Sequence, residues 1–214
     1  MVPHDISLPD AKLHIAKLAK AFPELTHDAR LELRMLKFDG VKPQSKSRRF
    51  DPTNLLNVDQ LLKYAKQYNE NGWNIYITPN PVKANSNEGV PVKREDVICA
   101  TQICLDCDEQ GAAQRLLQEI YVDYDYFVVT GTQPHLRLHW YIQLDEPLFD
   151  LELWRELTKR MIEAHGCDAN ANKIGGLMRL AGFLNHPPKH KQMKGYTTEL
   201  VKLYDREDYH DFDW

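Results

Sequence analysis

No apolar stretch in this sequence approaches the roughly 20 residues that a membrane-spanning helix requires, and the N-terminus has no signal-peptide core. The expected compartment is therefore the cytoplasm, with no membrane partner. Cysteine is scarce, four in 214 residues, which excludes a disulfide-stapled scaffold. Repeats and low-complexity tracts are lacking too, so a solenoid or an extended disordered linker is not expected. Nor is there a surplus of positive charge. The net charge of −4 argues against a broad basic surface. A local one remains open, because a cluster of metal-binding carboxylates contributes negative charge that its cations cancel.

What is present suits a globular protein. A hydrophobic fraction of 43% supplies a core for one large domain or two small ones, and the charged fraction of 27% is that of an ordinary folded chain. Cys104-Leu-Asp-Cys107 has the spacing of a zinc knuckle, but it lies in the apolar run Asp96–Asp108, which reads as a strand. Residues three apart on a strand point to opposite faces, and no second such pair follows. All four cysteines therefore read as buried thiols, Cys99 and Cys167 included.

Helices and strands alternate along the chain. Ser7-Leu-Pro-Asp opens a helix with Ile15, Leu18, Ala19 and Phe22 on one face. A strand is expected over Arg30–Phe38, followed by a basic loop holding Lys42, Lys46, Arg48 and Arg49. Val58, Leu61, Leu62, Ala65 and Tyr68 mark a second helix, and Trp73–Thr78 a strand. After a polar loop, Ala84–Arg94, come the strand ending at Asp106–Asp108 and a helix around Gly111–Ile120. Strands over Tyr126–Thr130 and Leu136–Leu144, a helix from Asp150 to Gly166 and a strand over Tyr196–Tyr204 complete the pattern. The class is α+β with a mixed sheet, and no linker separates two independent domains.

Three stretches carry chemistry. In Ile103-Cys-Leu-Asp-Cys-Asp-Glu109, Asp106 and Asp108 leave the same face of a strand end. Two acids held together in an apolar strand repel and lose hydration unless a cation neutralises them. Oxygen-only ligation selects a hard ion, Mg²⁺ or Mn²⁺. In Thr130-Gly-Thr-Gln-Pro-His-Leu-Arg-Leu-His-Trp-Tyr141, Arg137 and His139 share a strand face, a pairing suited to a triphosphate. In Cys167-Asp-Ala-Asn through Arg179-Leu-Ala-Gly-Phe-Leu-Asn185, Asp168 could bring a third carboxylate to the metal. Arg179, among small and apolar residues, calls for a phosphate or an internal carboxylate. Taken singly, each is better explained as structural.

Their order and spacing together resemble the archaeo-eukaryotic primase superfamily, and within it the RepB-like and PrimPol-like primases of plasmids and phages. The similarity runs from Asn74-Ile-Tyr-Ile-Thr-Pro-Asn80 to Gly195-Tyr196. It implies an RRM-like catalytic half (about residues 96–214) packed on a second α/β half (about residues 1–95, with the basic loop), together one catalytic domain. It also implies a template-dependent nucleotidyltransferase, a DNA primase with a two-metal site of Mg²⁺ or Mn²⁺. Asp106 and Asp108 would match the first motif and Asp168 the third, all three as metal ligands. His139 would match the second-motif histidine that contacts the nucleotide's phosphates, with Arg137 and Arg179 beside it. The expected partners are nucleoside triphosphates, a single-stranded DNA template held by Arg48, Arg49, Lys189 and Lys191, and a replicative helicase. The chain departs from the family at Arg137, where serine is common, and in a longer turn containing Pro134. Two other classes stay open: a catalytically silent, RRM-like single-strand-binding module, and a metal-dependent replication-initiation endonuclease. The latter family carries two histidines flanking one apolar residue, whereas this chain has the spacing His135-x-x-x-His139.

Overall fold

A computed structural model describes residues 5–25, 27–40, 42–84, 89–118, 125–169 and 173–205. The middle of the polar loop 84–94 and the end of the helix expected to reach Ile120 fall outside these residues. The Ser7 side chain accepts a hydrogen bond from the Asp10 N–H and starts α1, Leu8–Leu18, whose Ala11, Ile15 and Leu18 enter the core. In β1, Ala29–Lys37, Leu31, Leu33 and Met35 are buried on one side while Glu32 and Arg34 leave the other.

The chain then returns as β2, Gln44–Phe50, antiparallel to β1. Most of the basic run expected as a loop is thus an edge strand. Lysine and arginine suit that place, because they keep a sheet edge soluble and discourage pairing with other chains. Asn54 caps α2, Leu55–Glu70, which lays Val58, Leu61, Leu62 and Ala65 on the sheet. Next come β3, Asn74–Ile77, and β4, Val82–Lys83.

The second half opens with β5, Ala100–Cys107, and continues through α3, Ala112–Gln118, β6, Tyr126–Gly131, and β7, Arg137–Leu148. Asp150 caps α4, Leu151–His165, and Gly166 ends it in the left-handed conformation that glycine adopts without steric cost. Short elements follow: β8, Met178–Arg179; β9, Leu184–Asn185; α5, Lys189–Gln192; β10, Glu199–Leu200; β11, Lys202–Asp205. The single strand expected over Tyr196–Tyr204 is divided, since β10 pairs with β9 and β11 with β6.

The first sheet has the order β2-β1-β3-β8, with β4 alongside β1, and the second the order β11-β6-β7-β5. Interleaved helices and strands point to a mixed sheet; among the described residues every strand pair is antiparallel instead. One core fills the space between the first sheet and α1 and α2 and reaches Cys104, Tyr126 and Tyr141 of the second sheet. The other lies on that sheet's far face, where Leu138, Trp140 and Cys107 meet Leu116 of α3 and Trp154 of α4. Cys104 and Cys107 therefore sit on opposite faces of β5.

His14 is a buried polar residue at the join. Its Nδ1 accepts the Ala181 N–H at 3.2 Å and its ring meets Tyr126 and Tyr141 edge-on. Burial is the main reason its pKa falls to about 3 from the usual 6.5, with His139 and Lys17 adding to the shift. The unfolded chain protonates this histidine as pH drops below 6.5 and the folded chain does not. Stability is therefore undiminished above pH 6.5 and lost progressively toward pH 3. Urea titrations of wild type and His14→Asn, which keeps an acceptor for Ala181, should diverge in slope. Between pH 7 and 4 the wild type should lose about 2–3 kcal/mol more than the variant.

Candidate active site

The site forms where β5 ends beside the start of β7. Register sets Asp106 directly opposite His139 and Cys107 opposite Leu138. Alternation then sends Leu138 and Trp140 into the helix-side core, while His139 and Arg137 stay on the other face with Tyr141. Past the turn at Gly166, the Asp168 N–H donates to the Asp106 carbonyl at 2.8 Å, so the third acid is held beside the first by backbone.

Asp106 sits in a charged and poorly hydrated place. Its carboxyl is pushed up to about 7, first by burial and then by the carboxylates of Asp108 and Asp168, with Arg179 and Lys191 acting in the opposite direction. Its Oδ1 is buried with no hydrogen-bond partner among the described residues. His139 Nε2 lies 3.8 Å from that oxygen. Burial lowers the His139 pKa to about 4 despite the Asp108 charge, so at neutral pH the imidazole is neutral and the contact is not an ion pair.

The three acids fit a hard cation by their oxygen chemistry, by their mutual repulsion and by the unpartnered Asp106 Oδ1. Among the described residues, however, no three histidine, cysteine or acidic side chains converge on one point. The Asp108 carboxylate instead takes Lys191, Nζ to Oδ2 at 3.4 Å.

Beside the acids lies a cavity of about 260 Å³, lined by Tyr76, Asp108, Arg137, Arg179, Lys191 and Tyr196 among others. Arg179 reaches it because β8 joins the first sheet with Arg179 opposite Tyr76. Its guanidinium lies 4.9 Å from the Tyr76 ring centre and donates to Asn74 Oδ1 at 2.8 Å. Arg137 is only 3% exposed at its side chain and lies 4.3 Å over the Tyr196 ring. Glu199 holds it at 3.4 Å and also accepts from the Thr132 N–H and hydroxyl and from the Gln133 N–H. Gly131 makes room for this arrangement: a Cβ there would fall 1.8 Å from Arg137 Nη2. A larger hollow of about 830 Å³ along α4 is lined by exposed charges, Glu152, Arg155, Glu156 and Lys159, and by Ala169, the neighbour of Asp168 in sequence.

Asp106, Asp108, Asp168, His139, Arg137 and Arg179 are thus gathered around one cleft. The four basic residues expected on the template divide differently. Arg49 is a correction: only 8% exposed, it is locked 2.7 Å from Asp96 and 3.8 Å from the buried Glu32, ion pairs that turn it inward. Lys191 is carried by α5 into the cavity against Asp108. Lys189 is exposed at the start of α5, and Arg48 is exposed on the helix side of the first sheet. Sequence reasoning missed Tyr76, Tyr196, Glu199 and the role of Gly131. Only the glycine, at the end of β6 just before the turn, left a local signal.

No protein-family model and no curated protein matches the chain in sequence. Solved structures match it in fold. The primase RepB' superposes with a TM-score of 0.59 at 16% identity, over 91% of this chain and 56% of that one. The AEP domain of the cyanophage S-2L primase-polymerase gives 0.58 at 16% identity, over 95% and 96% of the two chains. The catalytic domain of RepB' in complex with initiator DNA gives 0.58 at 16% identity, over 92% and 85%. The chain spans little more than half of the RepB' chain in the first of these, and it shares the α+β fold of these structures.

Proposed function

We propose that this chain is the catalytic domain of a template-dependent nucleotidyltransferase, a primase that joins nucleoside triphosphates on single-stranded DNA. The observation that carries the reading is the buried Asp106 Oδ1 without a hydrogen-bond partner among the described residues, in a carboxyl crowded by Asp108 and Asp168 and adjoining, through Asp108, a cavity lined by Arg137, Arg179 and Lys191. A site with clustered acids beside clustered cations is suited to a polyphosphate that brings its own divalent ions. The fold neighbours, primase and primase-polymerase catalytic domains, support the same reading.

In this reaction a 3′-hydroxyl attacks the α-phosphate of the incoming nucleotide. A new P–O bond forms, the bond between the α- and β-phosphates breaks, pyrophosphate leaves, and the hydroxyl proton passes to a base or water. Bound Mg²⁺ or Mn²⁺ supplies Lewis acidity to the attacking and leaving oxygens. Asp106, Asp108 and Asp168 would hold the ions. Arg137, kept rigid by Glu199 and Tyr196, and Arg179, kept rigid by Asn74 and Tyr76, orient the phosphates before the reaction, so little reorganisation is left for the transition state. Neutral His139 can donate a hydrogen bond to a phosphate oxygen without neutralising the acids opposite it. Lys191, in the same cavity lining, would add a third cation to the phosphates.

The test is synthesis on single-stranded DNA with labelled nucleotides and Mg²⁺ or Mn²⁺, run beside Asp106→Ala and Asp168→Ala. Short products from wild type that disappear in both variants are expected. No product with either metal, on several templates and with a primer supplied, would replace this reading with that of a single-strand-binding module.

A further inference from the structure

Away from the cleft, the edge of the first sheet carries a second group of cations. Lys46 and Arg48 alternate on β2 and so leave the same side. Arg48 pairs with Leu33 of β1, and Leu33 with Ile77 of β3, which places both cations on the helix side of the sheet. Tyr76 and Arg179, one residue out of phase, face the other way. Here α2 presents Tyr64 and Tyr68, four residues apart on one helical face.

The two elements make a ladder of two rungs. The Arg48 guanidinium lies 4.6 Å from the Tyr64 ring centre and Lys46 Nζ 5.4 Å from that of Tyr68. The Tyr64 hydroxyl donates to the Tyr68 hydroxyl at 2.9 Å. Both cations are exposed. The groups acting most strongly on Lys46 are Tyr68, Tyr64 and Arg48, with no carboxylate among them. Beside the ladder a hollow of about 620 Å³ is lined by Arg30, Asn54, Asn57 and Gln60 together with Arg48 and Tyr64. Asp51 lies at its rim, but its carboxylate is turned to the Thr53 N–H and hydroxyl.

Edge protection alone explains a lysine or an arginine on β2. It does not explain two cations matched to two phenols, next to a polar hollow, on a chain with a net charge of −4. Two residues along a strand advance about 6.6 Å and four along a helix about 6 Å. The rungs therefore repeat at a distance comparable to that between successive phosphates of an extended single strand. A cation with a phenol hydroxyl beside it donates to phosphate oxygen, and the amides of Asn54, Asn57 and Gln60 both donate to and accept from base edges.

We propose that the Lys46–Arg48–Tyr64–Tyr68 ladder is a second single-stranded nucleic-acid site, on the opposite side of the sheet from the cleft, which holds nucleotides flanking those being copied. That the strand held is a template rests on the primase reading; that the surface binds a single strand does not.

The experiment is fluorescence anisotropy of a labelled single-stranded oligonucleotide over a salt series, without metal or nucleoside triphosphate. Wild type is compared with Lys46→Gln/Arg48→Gln, with the charge-preserving Lys46→Arg/Arg48→Lys, and with Tyr64→Phe/Tyr68→Phe. The charge-removing pair should bind at least tenfold more weakly, and its log–log salt dependence should be shallower by about 1.4, two single-strand phosphate contacts at about 0.7 each. The charge-preserving pair should bind within a few-fold of wild type, and the phenylalanine pair should fall between. Equal melting temperatures exclude unfolding as the cause of a loss. Unchanged affinity and slope in the charge-removing pair would overturn the proposal, as would an equal loss on a duplex of the same length. Failure of the primase reading would appear separately, as absent synthesis by a protein whose oligonucleotide binding still depends on Lys46 and Arg48.

Discussion

Replacing Asp106 by asparagine should lower nucleotide joining by about three orders of magnitude or more while making the metal-free protein more stable. On the proposed function the activity loss follows from removing a charged metal ligand, since metal-assisted stabilisation of the transition state amounts to several kcal/mol and each 1.36 kcal/mol is tenfold in rate. The stability gain follows from linkage. The Asp106 carboxyl has a folded-state pKa near 7 against 3.8 for the unperturbed group. A carboxyl raised in the folded state destabilises the fold as pH rises from about 4 to 7, and the penalty is complete above that. Allowing for the 26% exposure of the side chain, the variant should gain about 1–3 kcal/mol at pH 8, a rise of several degrees in Tm. It should gain little at pH 4, where both forms are uncharged. Mg²⁺ or Mn²⁺ should raise the Tm of wild type, by binding the folded state, and raise that of the variant much less. Melting curves at both pH values with and without metal check all three points. Equal Tm values at pH 8 and equal metal shifts would show that Asp106 is neither strained nor a ligand.

A single methyl group at Gly131 should have the next largest effect. The added Cβ would lie 1.8 Å from Arg137 Nη2 and 2.9 Å from both Arg137 Cζ and Glu199 Oε1. The guanidinium and the carboxylate are both held from several directions, so Gly131→Ala must push Arg137 off the Tyr196 ring and out of its contact with Glu199. Overpacking of this kind costs about 1–3 kcal/mol of stability. On the proposed function the displaced group is the one that orients the nucleotide, so KM for the triphosphate should rise at least tenfold. Mn²⁺ binding to the acids should stay near the wild-type value, because none of them touches Gly131. Steady-state kinetics beside Mn²⁺ titration separates the two effects. An unchanged KM would remove Arg137 from the nucleotide site.

Much of the site was legible because the residues concerned are chemically costly where they stand. Two acids at the end of an apolar strand, a histidine and an arginine alternating on another, and an arginine in a small-residue run each demand a partner. The register that sets Asp106 against His139 was not legible, since pairing depends on which strands become neighbours. The basic run shows the opposite limit. Its charges read as loop, yet seven residues of it and its surroundings, Gln44–Phe50, pair with β1. Edge strands are stabilised by one neighbour only and need no apolar alternation on their outer side.

By itself the sequence determined the α+β class, the order of most helices and strands, and the identity of the acids, the histidine and the arginines at the cleft. Periodicity and capping residues act over a few neighbours, and a buried charge marks itself against an apolar background. Only the tertiary structure decided which cation serves which place. Arg49 is drawn inward by Glu32 and Asp96, Lys191 is carried to Asp108, and Glu199, 62 residues beyond Arg137, becomes the group that holds it. These roles arise from electrostatic contacts between segments far apart in the chain. A lysine, arginine or glutamate looks the same in sequence whether it meets solvent or a counter-ion, so its partner exists only once the sheets are assembled.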